Sequence, residues 1–181
     1  MRSVGRAWMR LADWRVEGTF PDLPRVVVAI APHSSNWDFV NVVALVFALG
    51  LRVSFIGKHT LFLGPLGGFM RWVGGVPVDR RRPEDTAGAA AQRMRETDGM
   101  WLGMTPEGTR RAGSAYKSGF YRIAAAADVP VLPVFLDYRR RVIGILPPVE
   151  TNLPLDEGVA RVRAQLLAHG CRRDARARPP S

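Results

Sequence analysis

Residues 25 to 32 read RVVVAIAP, an apolar run of β-branched residues and alanine closed by Pro32. A strand with one wet face alternates apolar and polar side chains. A run with no polar position inside it has to be covered on both faces, as the strands of a parallel sheet between helices are. Helical and strand-like patterns then alternate along the chain. A helix is predicted from Asn36 to Leu49, stopped by Gly50, and strands at 52 to 56 and 76 to 78 flank a Gly- and Pro-rich segment from Gly57 to Gly75. A helix from Asp85 to Thr97, a strand from Met100 to Met104 and a helix from Ser118 to Ala127 follow. Late strands at 131 to 136 and 141 to 146 and a last helix from Leu155 to Ala168 complete the pattern. This order predicts an α/β fold with a mostly parallel central sheet flanked by helices.

At 181 residues with 47% apolar composition, the chain suits one domain with a core of its own, expected over residues 1 to 170. The basic stretch 171 to 181, rich in Arg, Ala and Pro, is expected to be a disordered tail. Lys and Arg number 26 against 16 Asp and Glu, so the formal charge of +10 favours anionic partners: nucleic acid, anionic lipid, or phosphate-bearing substrates. The lone cysteine, Cys171, cannot make an internal disulfide and points to a reducing compartment. Arginines interrupt the first ten residues, which lack the apolar core of an export signal. The longest apolar stretch, Phe39 to Leu51, is interrupted by Asn41 and is shorter than the roughly 20 residues a bilayer crossing needs. Val4, Ala7, Trp8, Leu11 and Trp14 fall on one helical stripe with Arg6 and Arg10 off it. Residues 1 to 15 are thus either an interfacial helix or one packed on the domain.

In α/β folds the functional loops lie at the carboxyl ends of the parallel strands, and His33 follows the first predicted strand directly, in PHSSNWD. Four residues separate His33 from Asp38, so a helix beginning near Ser35 or Asn36 lets the carboxylate approach the imidazole from its first turn. Such a pair can act as general base and orienting partner. Ser35 and Asp38 also fit a helix capping pattern, which explains the spacing without chemistry. The segment TPEGTRR, 105 to 111, again follows a predicted strand. Glu107 and Arg110 there offer a carboxylate and a guanidinium suited to a phosphate and its neighbouring hydroxyl, or else form a surface ion pair in an ordinary turn. Arg80 and Arg81, in GVPVDRRR, add to an anion site or sit on a solvated turn. Lys58 and Lys117 are further phosphate candidates, and the three histidines show no metal-ligand spacing.

These residues resemble the glycerolipid acyltransferases typified by lysophosphatidic acid acyltransferases, the 1-acylglycerol-3-phosphate O-acyltransferase-like enzymes. His33-Ser34-Ser35-Asn36-Trp37-Asp38 is similar to the family's His-x-x-x-x-Asp motif. Pro106-Glu107-Gly108-Thr109-Arg110 is similar to its Pro-Glu-Gly-Thr-Arg motif, Gly75 to Arg80 to its Gly-x-x-x-x-Arg block, and Val129 to Val134 to its late Val-Pro block. Pro32 and Thr105 depart from the Asn and Phe that often precede the two main motifs. The resemblance implies a membrane-associated acyltransferase of phospholipid biosynthesis with His33 as general base and Asp38 orienting it. It implies Ser35, Arg80, Glu107, Gly108, Thr109 and Arg110 as substrate-binding residues, to which Lys58 is added as a phosphate candidate from its own position in the sequence. It further implies acyl-CoA or acyl carrier protein as co-substrate, with no other cofactor, and lysophosphatidic acid or a related lysolipid as acceptor.

With the net charge and the single cysteine, the expected setting is cytoplasmic, peripheral on the inner face of the cell membrane, against an anionic leaflet. Glycerol-3-phosphate, a lyso-aminolipid or a glycolipid are the alternative acceptors. A basic nucleic-acid- or anion-binding module is the rival outside enzymology. The chain shows no zinc-ligand set, no aromatic RNA-binding signature and no basic recognition helix, so no nucleic-acid partner is expected.

Overall fold

The computed structural model describes residues 2–32, 36–51, 53–78, 83–107 and 116–169; at 36, 38, 57–59, 61, 66, 77–78 and 83–86 it describes the backbone alone. The expected fold class is observed. A seven-stranded sheet runs in the order β1-β7-β6-β2-β5-β3-β4. Its strands are β1 (Arg15–Glu17), β2 (Arg25–Ala31), β3 (Val53–Lys58), β4 (Gly75–Val78), β5 (Met100–Met104), β6 (Val131–Asp137) and β7 (Val142–Ile145). Every neighbouring pair is parallel except β6 with β7, where Asp137 pairs with Val142 across a hairpin.

The helices are α1 (Arg2–Leu11), α2 (Asn36–Leu49), α3 (Leu66–Trp72), α4 (Pro83–Glu96), α5 (Gly119–Ala127) and α6 (Leu155–Ala168). The two faces of the sheet follow from the period-2 alternation of β2. Val26 and Val28 pack with Met9 of α1 and with Ala44, Leu45 and Ala48 of α2. Val27, Ala29 and Ala31 pack on the other side with α4, α5 and α6, through residues such as Met94, Phe120, Tyr121 and Leu166. Both faces of β2 are therefore dry, as its uninterrupted apolar sequence requires.

Helix α2 keeps its predicted limits. Gly50, at φ +71°, takes the left-handed conformation that ends it, and the Gly50 and Leu51 amides donate to the Phe47 and Val46 carbonyls at 3.1 and 3.0 Å. Helix α1 packs closely along α2 at Gly5, where a Cβ would run into the backbone of Ala44 and Ala48.

Three features depart from the expectations. The Gly- and Pro-rich segment folds a 3₁₀ turn, His59–Phe62, and helix α3 inside its limits. Gly67 lies against the Phe62 carbonyl so closely that a Cβ would not fit, so packing rather than helix propensity selects glycine there. Strand β1 was not foreseen, because its three residues are all exposed and carry no apolar pattern. The stripe expected on the N-terminal helix also divides: Trp14 is buried beyond the helix end, Trp8 is half-buried, and Val4, Ala7 and Leu11 face outward. The tail 171–181, with Cys171, lies outside the described residues.

Candidate active site

The strand order brings together blocks that are far apart in sequence. β2, β5, β3 and β4 are consecutive in the sheet and parallel, so their carboxyl ends share one edge. The HSSNWD block leaves the end of β2, and Asp38 falls in the first turn of α2. PEGTR leaves the end of β5, Lys58 is the last residue of β3, and Arg80 follows two residues after the end of β4. His33, Ser35, Arg80, Gly108, Thr109 and Arg110 lie outside the described residues, and Asp38 and Lys58 are described by backbone only.

The register sets the relation between the two principal blocks. Ala29 pairs with Met104, so Pro32 and Glu107 each stand three residues beyond a common rung of adjacent strands. Neighbouring strands are about 4.8 Å apart, which puts the end of β2 one spacing from the end of β5 and about 14 Å, three spacings, from the end of β4. The chain thus enters the PEGTR block from the strand next to β2, whereas β4, which precedes Arg80 in sequence, ends on the far side of the row.

Glu107 is 3% exposed, so its carboxylate lies beneath the surface rather than in a solvated surface pair. The Lys117 amide donates to the Pro106 carbonyl at 2.7 Å, fastening the approach to α5 to the head of the PEGTR block and placing the exposed Lys117 beside it. The Val-Pro block is scaffold rather than site. It opens β6, where Val131 and Leu132 are fully buried and the Pro130 carbonyl accepts from the Val27 amide at 3.1 Å, fixing β6 beside β2.

Two features of this edge escaped the sequence reading. Trp37, inside the HSSNWD block, stacks on Trp8 of α1, and the Trp8 indole N–H donates to the buried Asn41 side chain at 3.1 Å. Residue spacing alone gave no sign that Trp8 reaches α2. The Arg139–Arg141 turn joins the carboxyl end of β6 to β7, so it stands on the same edge as the motif blocks. With Asp13, Arg15, Glu17 and Val142 it lines an open cleft of about 300 Å³. The run of three arginines was visible in the sequence, but its location was not.

The profile of the Acyltransferase family matches residues 15–137, from β1 to the end of β6. The 1-acyl-sn-glycerol-3-phosphate acyltransferase of Haemophilus influenzae is 32% identical over 114 residues, 59% of this chain and 46% of that protein. Its namesakes in Salmonella typhimurium and Escherichia coli are 29% and 28% identical over 165 residues, 80% of this chain and 63% of each. The chain thus spans between about half and under two thirds of the length of these relatives. The crystal structure of the 1-acyl-sn-glycerophosphate (LPA) acyltransferase PlsC from Thermotoga maritima superposes with a TM-score of 0.69 at 19% identity, over 99% of this chain and 80% of that one, a likeness of fold. With the profile covering the strands that carry all four sequence blocks, the chain belongs to the acyltransferase family.

Proposed function

We propose that the chain, acting as one domain over residues 1–170, moves a fatty acyl group from the thioester of acyl-CoA or acyl carrier protein to the hydroxyl of lysophosphatidic acid or a related lysolipid. The observation that supports this reading is the Ala29–Met104 register, by which Pro32, just before the HSSNWD block, and Glu107, in the PEGTR block, each stand three residues past a common rung of adjacent strands. His33 removes the proton from the acceptor hydroxyl as its oxygen attacks the thioester carbonyl. The tetrahedral oxyanion collapses, the C–S bond breaks, and the imidazolium returns the proton to the departing thiolate. Asp38 holds the imidazole in the tautomer that accepts the proton and stabilises the cation that forms.

The acceptor's phosphate is bound from the β5 side. Arg110 is assigned as the first contact because its block follows β5, the strand next to β2; Arg80, whose block follows β4, and Lys58, at the end of β3, are assigned as further contacts. Glu107, buried at the head of the block, binds the neighbouring hydroxyl, and Ser35, Gly108 and Thr109 complete the pocket wall. The acceptor is drawn from the cytoplasmic face of an anionic membrane, which the charge of +10 favours. Among the described residues no helix is long and apolar enough to cross a membrane.

The test is thiol release from palmitoyl-CoA and from palmitoyl carrier protein by the purified protein in detergent micelles, with and without lysophosphatidic acid, for wild type, His33→Ala and Glu107→Gln. Acceptor-dependent release by wild type that is lost in His33→Ala is expected. Release only with glycerol-3-phosphate or a glycolipid would move the acceptor within the same chemistry. A trapped acyl-enzyme would sink the direct attack.

A further inference from the structure

The helical layer formed by α1, α2 and α3 has an outer surface unlike the rest of the molecule. Leu63, Phe69 and Trp72 are 58%, 47% and 57% exposed, and Leu49, two residues past Phe47 at the end of α2, is also exposed. Phe69 and Trp72 of α3 and Phe47 of α2 form one aromatic surface rather than scattered positions. The Trp72 ring lies 5.8 Å from Phe47 of α2 and 6.0 Å from Phe69 of its own helix. An isolated exposed leucine is ordinary, but an aromatic cluster left open to water across two helices marks a surface that another phase or molecule covers.

Charge identifies the occupant. Helices α1, α2 and α3 carry a single carboxylate, Asp38, in the first turn of α2 at the far end of that helix from Leu49, and residues 39–78 contain no Asp or Glu. Arg71 is exposed and holds its guanidinium 5.9 Å above the Phe62 ring. Arg2 packs against Gly50, the residue after Leu49. Other acidic side chains are placed elsewhere, for example at Asp156 and Glu157 of α6 on the opposite face of the sheet. Tryptophan, phenylalanine and leucine flanked by arginines, with no carboxylate among them, are what an anionic bilayer surface accepts: rings enter the headgroup boundary and guanidinium groups meet lipid phosphates.

We infer that Leu63, Phe69, Trp72 and Leu49, with Arg71 and Arg2 at their margin, form a docking face for an anionic phospholipid bilayer. The face is on α3 and the end of α2 rather than on the N-terminal helix alone. Helix α3 begins just past the carboxyl end of β3 and runs toward the amino end of β4, so Leu63 stands near the edge that carries the motif blocks and Trp72 stands farther from it. A bilayer on this face meets the edge at which an acceptor headgroup is to be received. The inference rests on the acyl-transfer reading only in that orientation, because membrane binding is measurable without turnover.

The experiment is flotation of the full chain with phosphatidylcholine–phosphatidylglycerol vesicles and with pure phosphatidylcholine vesicles. Wild type is expected to float with the former and more weakly with the latter. Phe69→Ser/Trp72→Ser should cut partitioning at least about tenfold, and Arg71→Glu should weaken only the anionic-vesicle arm. Leu167→Ser, which removes an exposed leucine from α6, should leave both arms unchanged. Leu63→Ser replaces the double variant if that one fails to give a cooperative melt. The inference is overturned if the α3 variants float like wild type, if Leu167→Ser falls equally far, or if the α3 variants disperse a dimer without changing vesicle binding. Thiol release in micelles with no vesicle binding overturns this inference alone; vesicle binding with no thiol release for any acceptor overturns the acyl-transfer reading alone.

Discussion

The indoles of Trp8 and Trp37 stack with centroids 6.1 Å apart and planes 10° from parallel, tying the N-terminal helix to the first turn of α2. Trp37 immediately precedes Asp38, so this stack bears on the backbone that carries the proposed orienting carboxylate. The same Trp8 ring donates to Asn41, 4% exposed, one turn further along. Trp8→Ala removes about 1 kcal/mol of ring stacking and leaves a buried amide oxygen without its donor, a loss of about 1–3 kcal/mol. A lower melting temperature is expected together with a fall in kcat of about tenfold, since small misplacements of a catalytic group are costly. Trp8→Phe should recover part of the kcat loss, and thermal melts beside steady-state kinetics check both.

Gly158 of α6 faces Tyr121, which is 1% exposed and donates its hydroxyl to the Leu153 and Glu150 carbonyls at 3.2 and 3.4 Å. In an open helix Gly→Ala would stabilise by up to about 1 kcal/mol. Here the new Cβ would enter the Tyr121 ring, and overpacking of that kind costs about 1–3 kcal/mol, so the clash decides the sign. Gly158→Ala is expected to destabilise the protein in urea melts. Thiol release at a temperature where it stays folded should be unchanged, because α6 packs on the face of the sheet away from α2.

The parts of the fold legible in the sequence are those whose residues carry their own constraint. β2 has no polar side chain from Val26 to Ala31, and α2 ends at a glycine that the backbone needs, so both were readable within a residue. β1 exists because Arg15, Val16 and Glu17 pair with Val142, Ile143 and Gly144, a partner over a hundred positions away that leaves no local trace. For the site, the blocks and their place after strands were legible, but the order β2-β5-β3-β4 was not. That order, a tertiary fact, is what sets β5, which leads into PEGTR, beside β2, and sets β4, which leads toward Arg80, three places away.

Arg140 and Glu17 make an ion pair at 2.6 Å in the basic cleft, with side chains 56% and 48% exposed. Its short distance invites a structural role, but exposed pairs contribute less than about 1 kcal/mol after solvent screening. Glu17→Gln should therefore move the urea midpoint by less than about 0.5 kcal/mol equivalent, and added salt should erase even that difference. A larger loss would mean that the pair fastens β1 to the β6–β7 turn.

Asp38 is the third residue of α2, a position where a carboxylate can serve two ends. It can favour the helix start, through capping or the helix dipole, or it can orient His33. The first role is worth about 0.3–1 kcal/mol and does not touch the chemistry. The second sets the imidazole tautomer, and its loss slows turnover by about a hundredfold to ten-thousandfold. Asp38→Asn keeps the size of the side chain and removes its charge, so the two roles separate cleanly. The expected result is a melting temperature within a few degrees of wild type and a kcat at least about a hundredfold lower, with the KM for acyl-CoA little changed. Near-normal turnover with reduced stability would assign Asp38 to the helix start and leave His33 without its proposed partner.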